Sequence, residues 1–340
     1  MGASSLLAGS ELRRRLSSLA GLALIVAFVG AVVSGALVGA HRTSTSVERF
    51  RDWAHASDGN FQSSSDREAT ALRRLLERRS DVEAVAQRRL VNAFLNDSPI
   101  SDIAIMSDPE GRYAREVDRP RLLRGRMPAV GAPDEIVLNE LAARLAGARI
   151  GDVLHARTWS RTDLENLFAG DAFPGFNGPQ VVLRVVGVAR TLDGLPGDVE
   201  RTAPYGIGSP AFLGAHPAVG VWPPDLYVRT TGGASTFAAV ARAVAATRVP
   251  DTGDAHFSSG TPAGTTYLNA SQQAVNSATS ALLMFAAAAA LVGAIVLGQA
   301  VQRHLSGSAS PALLTQLGMT RSQTARARAI PVAVAAVTGV

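Results

Sequence analysis

Two stretches of the chain, 16–40 and 278–301, run without a single charged residue. In the first, Leu22, Leu24, Ile25, Val26, Phe28 and Val29 lead an aliphatic series that ends at Leu37 and Val38. As a helix rising ~1.5 Å per residue, this stretch covers the ~30 Å hydrocarbon layer of a bilayer. Its large aliphatic residues together favour insertion by about 3 to 6 kcal/mol. Arg13, Arg14 and Arg15 ahead of it, with Val38-Gly39-Ala40 at its end, also resemble a cleavable leader. The run exceeds the ~7–15 apolar residues of such a leader, so the pattern predicts a retained anchor. The second stretch is alanine-rich around Leu282, Leu283, Met284, Phe285, Leu291 and Ile295, and its unbroken length predicts a second span rather than a buried soluble helix. A third apolar run, 330–340, has about half the residues that a span needs, which predicts that the sequence stops in mid-helix.

Between the first two runs the apolar positions change period. Residues 46–56 keep helical spacing and are expected to continue the first helix outward. In 66–79, Leu72, Leu75 and Leu76 form an apolar stripe, while Arg73, Arg74, Glu77, Arg78 and Arg79 cover the remaining faces. Strands are predicted at 82–91, 100–106, 135–138, 153–158, 181–188 and 226–229. Helices are predicted at 140–146, capped by Asn139, and at 234–246. The Pro- and Gly-rich stretches 170–179 and 194–224 read as loops or insertions, the second interrupted by short structured pieces. This order of elements predicts an α+β domain over 41–277 rather than a sandwich.

Charge sets the expected orientation. Between Arg248 and Arg303 only His256 is basic, whereas Arg303, Arg321, Arg326 and Arg328 follow the second run with no acidic residue among them. Basic loops stay on the cytoplasmic side. The 302–329 loop and the 1–15 segment are therefore expected in the cytoplasm, and 41–277 outside a multi-pass protein of the plasma membrane. Within the two runs, Gly35 with Gly39 and Ala294 with Gly298 carry the four-residue spacing of small residues that lets helix backbones approach.

All 33 Lys and Arg positions are arginine, which removes a P-loop lysine, a Schiff-base lysine and a lysine general base together. The chain is not expected to hydrolyse ATP itself. With no cysteine there is no disulfide and no thiolate nucleophile or zinc ligand. The net charge of +5 and the isoelectric point near 10.5 suggest nucleic acid at first sight, yet the arginines are interleaved with Asp and Glu over most of the chain, which argues against it. Histidines 41, 55, 155, 216, 256 and 304 show no metal-ligand spacing, and Gly206-Ile207-Gly208-Ser209-Pro210 lacks that of a nucleophile elbow. Asp134 and Glu135 are adjacent on a predicted strand, so they point to opposite faces and do not converge as acid and base. A non-catalytic membrane subunit without cofactor or metal is the expectation.

Several segments resemble one known family. Leu123-Arg124-Gly125-Arg126-Met127-Pro128, then Asp134-Glu135-Ile136-Val137-Leu138-Asn139-Glu140-Leu141-Ala142, then Ile150-Gly151-Asp152-Val153-Leu154, look like the extracytoplasmic core domain of MacB-like and FtsX-like ABC transporter permeases. In that family they form a loop, a strand running into a helix, and a Gly-Asp turn opening the next strand. Val185-Val186-Gly187-Val188 matches the following strand, and Gly39-Ala40-His41-Arg42-Thr43 the exit from the first span. Leu313, Leu317, Gly318, Thr320, Arg321 and Gln323 resemble the cytoplasmic helix that contacts the ATPase, although 306–311 departs from its usual regularity.

The resemblance implies transmembrane helices plus a MacB-like α+β core domain, in a dimer with a second permease copy and a separate ATPase subunit. Leu313, Leu317, Gly318, Thr320 and Arg321 are then the ATPase-coupling candidates. Arg321, Arg326 and Arg328 have two expected contacts, acidic groups of that ATPase or anionic membrane lipid. The expected work is export or extraction of a hydrophobic or envelope substrate. Two alternatives are mechanical regulation of an envelope hydrolase and a two-span sensor; the absence of a heptad-bearing linker after Val301 weighs against the sensor.

Overall fold

The computed structural model describes residues 16–96, 102–170, 175–191, 203–247, 258–260, 263–306 and 320. They fall into two compact units: Ser46–Ala274, and Met1–Thr45 with Val275–Val340. The second unit contributes helix α1 (Leu16–Ser44) and most of helix α8 (Ala263–Ser306). Mean hydropathies of 2.4 and 2.5 over Ala23–Ser44 and Gln273–Arg303 make both helices long and apolar enough to cross a membrane. The third apolar run, 330–340, lies outside the described residues.

The Ser46–Ala274 unit, called the central domain below, has two lobes that share one long strand and are linked a second time by the chain between 216 and 224. In the first lobe lie α2 (Ser46–Ala54), β1 (Gly59–Gln62), α3 (Asp66–Glu77) and the start of β2 (Val82–Leu95). The second lobe follows with β3 (Asp102–Ser107), β4 (Arg121–Gly125), β5 (Glu135–Asn139), α4 (Glu140–Ala146), β6 (Val153–Thr158), α5 (Arg161–Phe168), β7 (Gln180–Arg190), β8 (Tyr205–Gly208) and α6 (Phe212–Ala215). The chain then returns to the first lobe through β9 (Asp225–Thr230), α7 (Gly233–Ala245) and β10 (Ser258–Gly260).

Local chemistry explains several of these elements. At α4, Asn139 Oδ1 accepts the Ala142 amide at 2.8 Å, and Gly147 closes the helix at φ +64°, where a side chain is disfavoured. At α5, the Ser160 and Asp163 side chains each accept the other's backbone N–H, a reciprocal cap that holds an eight-residue helix. At α3 the Ser65 hydroxyl accepts from the Glu68 amide, and Leu72 and Leu76 beneath it are fully buried.

The first lobe stacks β10, β1, β9 and the start of β2 antiparallel and covers them with α3 and α7. Phe61, Leu72, Leu76, Val85, Leu226 and Phe237 form its core. In the second lobe, β2 pairs β3, β3 pairs β8, β8 pairs β5, β5 pairs β7, β7 pairs β6, and β6 returns to β2. These pairings close a six-stranded ring, with β3–β8 and β5–β7 parallel. Alternate residues Val91, Ala93, Leu95, Ile103, Ile105, Ile136, Leu138, Leu183 and Val185 fill it, as the two-residue period of a strand requires. Only β4 hangs outside, along β7, with all five residues exposed.

The six predicted strands are all present, within a few residues at each end. The 123–128 stretch, expected as a loop, begins inside β4 and pairs with β7 up to Gly125. Gly125 is required there: its φ is +75°, and a Cβ would collide with the Val186 carbonyl. The 194–224 stretch, expected as a loop or insertion interrupted by short structured pieces, contains β8 and α6.

Candidate functional site: the apolar helix pair and the inter-lobe seam

In α1, Ile25, Val29, Val32, Ala36 and Ala40 share one face at helical spacing, and Ala36 and Ala40 are buried. The inward positions of α8 are Val275, Thr279, Leu282, Ala286, Ala289, Gly293 and Leu297, which recur every three or four residues. That rhythm is the seam of two helices wound together. Gly293 lies directly against Val29, and Gly39 is 3.7 Å from Leu282 when a Cβ is placed on it. A wholly apolar groove runs along the pair between Ile25 and Val32 on α1 and Ala289 and Val296 on α8. Outside the seam, Leu24 and Phe28 are each 71% exposed, Met284 68% and Leu291 65%.

Of the four small residues singled out by spacing, Gly39 faces the seam. Ala294 and Gly298 are exposed, and a Cβ on Gly35 or Gly298 would touch nothing within 4 Å. The small residues at the contact are instead Ala36, Ala40, Ala286 and Gly293. Successive residues turn by about 100° around a helix, so Ala294 and Gly298 lie off the α1–α8 contact. Among the coupling candidates, Leu313, Leu317, Gly318 and Arg321 lie outside the described residues; Thr320 is described and exposed.

In the central domain, the segment that follows α2 is fastened to both lobes. Asp58 is buried, accepts the Thr230 amide at 2.8 Å and hydroxyl at 2.9 Å, and faces the Arg51 guanidinium at 3.4 Å. Ser57 donates its amide to Asp118 at 2.8 Å. Ion pairs cross between the lobes: Arg73 with Glu110, Arg112 with Glu77 at 3.3 Å, and Arg89 with Asp66. The Glu110 hydrogen bond raises the Arg73 guanidinium pKa above its ordinary value. Burial pushes the Asp108 carboxyl up from the ordinary aspartate value, against hydrogen bonds from the Tyr113, Glu110 and Arg112 amides. Those bonds shape the 108–113 turn that carries Glu110 and Arg112 to the clasp.

Arg88, at the point where β2 passes between lobes, lies 4.6 Å over the Tyr227 ring and bonds Asp225 at 2.7 Å. Burial opposes its charge, and Tyr227, Tyr113 and Asp225 more than offset that opposition, so its pKa is raised. Asp134 is exposed, 3.6 Å from His216, while Glu135 is held by Arg126. The Arg126 hydrogen bond and the Ala129 amide lower the Glu135 pKa to about 2. Among the described residues, no group of His, Asp and Glu is arranged to hold a metal ion.

The extracellular domain of the noncanonical ABC-type transporter YknZ from Gram-positive bacteria is similar over 54% of this chain and 87% of its own, at 14% identity and a TM-score of 0.33. The periplasmic region of MacB from Actinobacillus actinomycetemcomitans is similar over 53% of this chain and 78% of its own, at 12% identity and a TM-score of 0.31. No family model and no curated protein matches the chain.

Proposed function

We propose that the chain is a permease subunit of an ABC transporter, with α1 and α8 in the plasma membrane and the central domain outside it. The carrying observation is that two helices of spanning length, with large apolar side chains outward, bracket one folded α+β domain. In each apolar window only 11% of residues are buried, which is the sorting that lipid tolerates and water does not. A core helix of a soluble protein has the opposite sorting, and α8 is too far along the chain for a leader.

Charge supports the orientation. The Ser46–Ala274 unit has 25 arginines against 27 carboxylates, so the basic excess sits in the segments flanking the helices. Since the chain has no lysine for a P-loop, ATP is hydrolysed on a separate subunit, and coupling enters through Leu313, Leu317, Gly318, Thr320 and Arg321. The clasp at Arg73–Glu110 and Arg112–Glu77 is suited to a domain that changes inter-lobe geometry during the cycle. A second permease copy completes the membrane assembly, which moves a hydrophobic or envelope substrate.

Co-purification from membranes with soluble neighbours, followed by an ATPase assay, tests this reading. Leu317→Asp with Arg321→Glu is expected to lose the ATPase partner while the central domain stays folded. Undiminished ATPase stimulation by the double variant overturns the coupling assignment.

A further inference from the structure

A cleft of about 370 Å³ opens in the central domain where the two lobes meet. One wall is the start of α3, with Ser65 and Asp66; the other is α5, with Arg161, Leu164, Glu165 and Phe168. Arg89 of β2 reaches in from the strand that joins the lobes, and Val219, Val221 and Pro223 form the floor. The floor is fixed in place, because the Trp222 amide donates to Leu90 O at 3.0 Å and its indole to Asn92 at 2.5 Å. Trp222 stacks edge-on against Phe168 at 5.4 Å and 6.0 Å from Trp159, so an aromatic cluster borders the cleft.

The polar side of the cleft carries two arginines, Arg89 and Arg161, and two carboxylates, Asp66 and Glu165. Arg89 bonds Asp66 through one terminal nitrogen, yet its Nε is buried and has no hydrogen-bond partner among the described residues. Arg161 is held through one terminal nitrogen by the Pro217 carbonyl at 3.2 Å. A guanidinium offers five N–H groups in a planar fork suited to carboxylate or phosphate oxygens. Beside these donors the lining is aliphatic and aromatic, and Phe168 is 57% exposed with nothing polar of its own to satisfy.

We propose that this cleft binds a small anionic amphiphile, its carboxylate or phosphate head on Arg89 and Arg161 and its apolar body on Leu164, Phe168, Val219 and Val221. Its size falls within the ~300–1,000 Å³ range of small-molecule sites. Arg89 is shared between Asp66 and the head, and Glu165 on α5 opposes an anionic head. The proposal is independent of transport: it is read by binding alone, without an ATPase.

The test uses the full chain in nanodiscs of zwitterionic phosphatidylcholine, titrated with octanoate, octyl phosphate or uncharged octanamide, with tryptophan fluorescence as readout. A saturable change with either anion and none with octanamide is expected; the tighter of the two identifies a carboxylate or a phosphate head. Arg161→Gln is expected to weaken binding about tenfold, as loss of a charge-assisted hydrogen bond does, and Phe168→Ser to weaken it several-fold. Both positions are exposed, so the core is untouched. Glu165→Gln is expected to tighten binding, a gain that a folding defect does not mimic. No saturation, an equal response to octanamide, or Arg161→Gln indistinguishable from the parent chain overturns the proposal, as does weaker binding by Glu165→Gln.

Discussion

Helices α3 and α8 sort their side chains in opposite directions. In α3 the leucines at 72 and 76 are fully buried and the arginines at 73 and 74 lie outside them; in α8 the inward positions hold Ala286 and Gly293, while Leu291 and Met284 face out. Both are α-helices with an apolar seam every three or four residues, so the difference lies in the solvent each is built for. In water, removing large aliphatic surface drives packing. In lipid that drive vanishes between helices, and close approach of small residues replaces it.

The largest expected effect breaks this contrast directly. Leu76→Ala should destabilise the central domain by about 2 to 5 kcal/mol, because a fully buried leucine leaves a cavity. Leu291→Ala, 65% exposed in an apolar span, should change stability by no more than about 0.5 kcal/mol. Denaturant unfolding of the full chain in micelles, followed by tryptophan fluorescence, compares the two. Equal losses would mean that Leu291 is packed against protein rather than lipid.

A smaller effect is expected at the helix seam. Gly293→Leu places a branched side chain on Val29 and should weaken the α1–α8 pair by about 1 to 3 kcal/mol, whereas Gly298→Leu projects into open space and should be silent. Cysteine cross-linking between residues 32 and 289 is practical in a chain that has no native cysteine, and its efficiency reports on the pair. Loss of cross-linking in Gly298→Leu but not in Gly293→Leu would reverse the assigned phase.

The smallest effect is electrostatic. Arg126 holds the Glu135 pKa near 2, below the ordinary 4.5, so the pair's stabilisation is complete above pH 4.5 and is lost as pH falls toward 2. The pair lies at the surface, where solvent screening keeps its contribution small. Arg126→Gln should therefore lower stability slightly at pH 7, flatten the fall between pH 4.5 and 2, and leave stability at pH 2 nearly unchanged. An unaltered acid limb would show that the pair is not formed in solution.

What could be read from the sequence follows from how local each signal is. Asn139 and Gly147 bracket α4, and the helix ends where they place it, because capping is decided within a few residues. The Leu72–Leu76 stripe located α3 in the same way. Helix α5 went unpredicted although Ser160 and Asp163 form its reciprocal cap; the box was there to be found, but only Leu164, Leu167 and Phe168 supply apolar periodicity after it. Strands β1 and β8 were hidden by glycine. Gly206 belongs in β8 because a Cβ there would collide with Ile136 of the neighbouring strand, a constraint that exists only once the sheet is assembled. The closed ring of β2, β3, β8, β5, β7 and β6 depends on pairings between distant segments and has no local signature. At the membrane seam the spacing of small residues was visible, and their phase was not. The cleft at Arg89 and Arg161 was missed for a related reason: the two arginines are 72 positions apart and are brought together only when β2 and α5 are in place.

Strand β2 is one uninterrupted segment of 14 residues, roughly 46 Å when extended, shared by both lobes. Its first half is hydrogen-bonded to β9 and its second half to β3 and β6, with no loop between. Turning one lobe against the other therefore winds or unwinds a laddered strand instead of bending a joint.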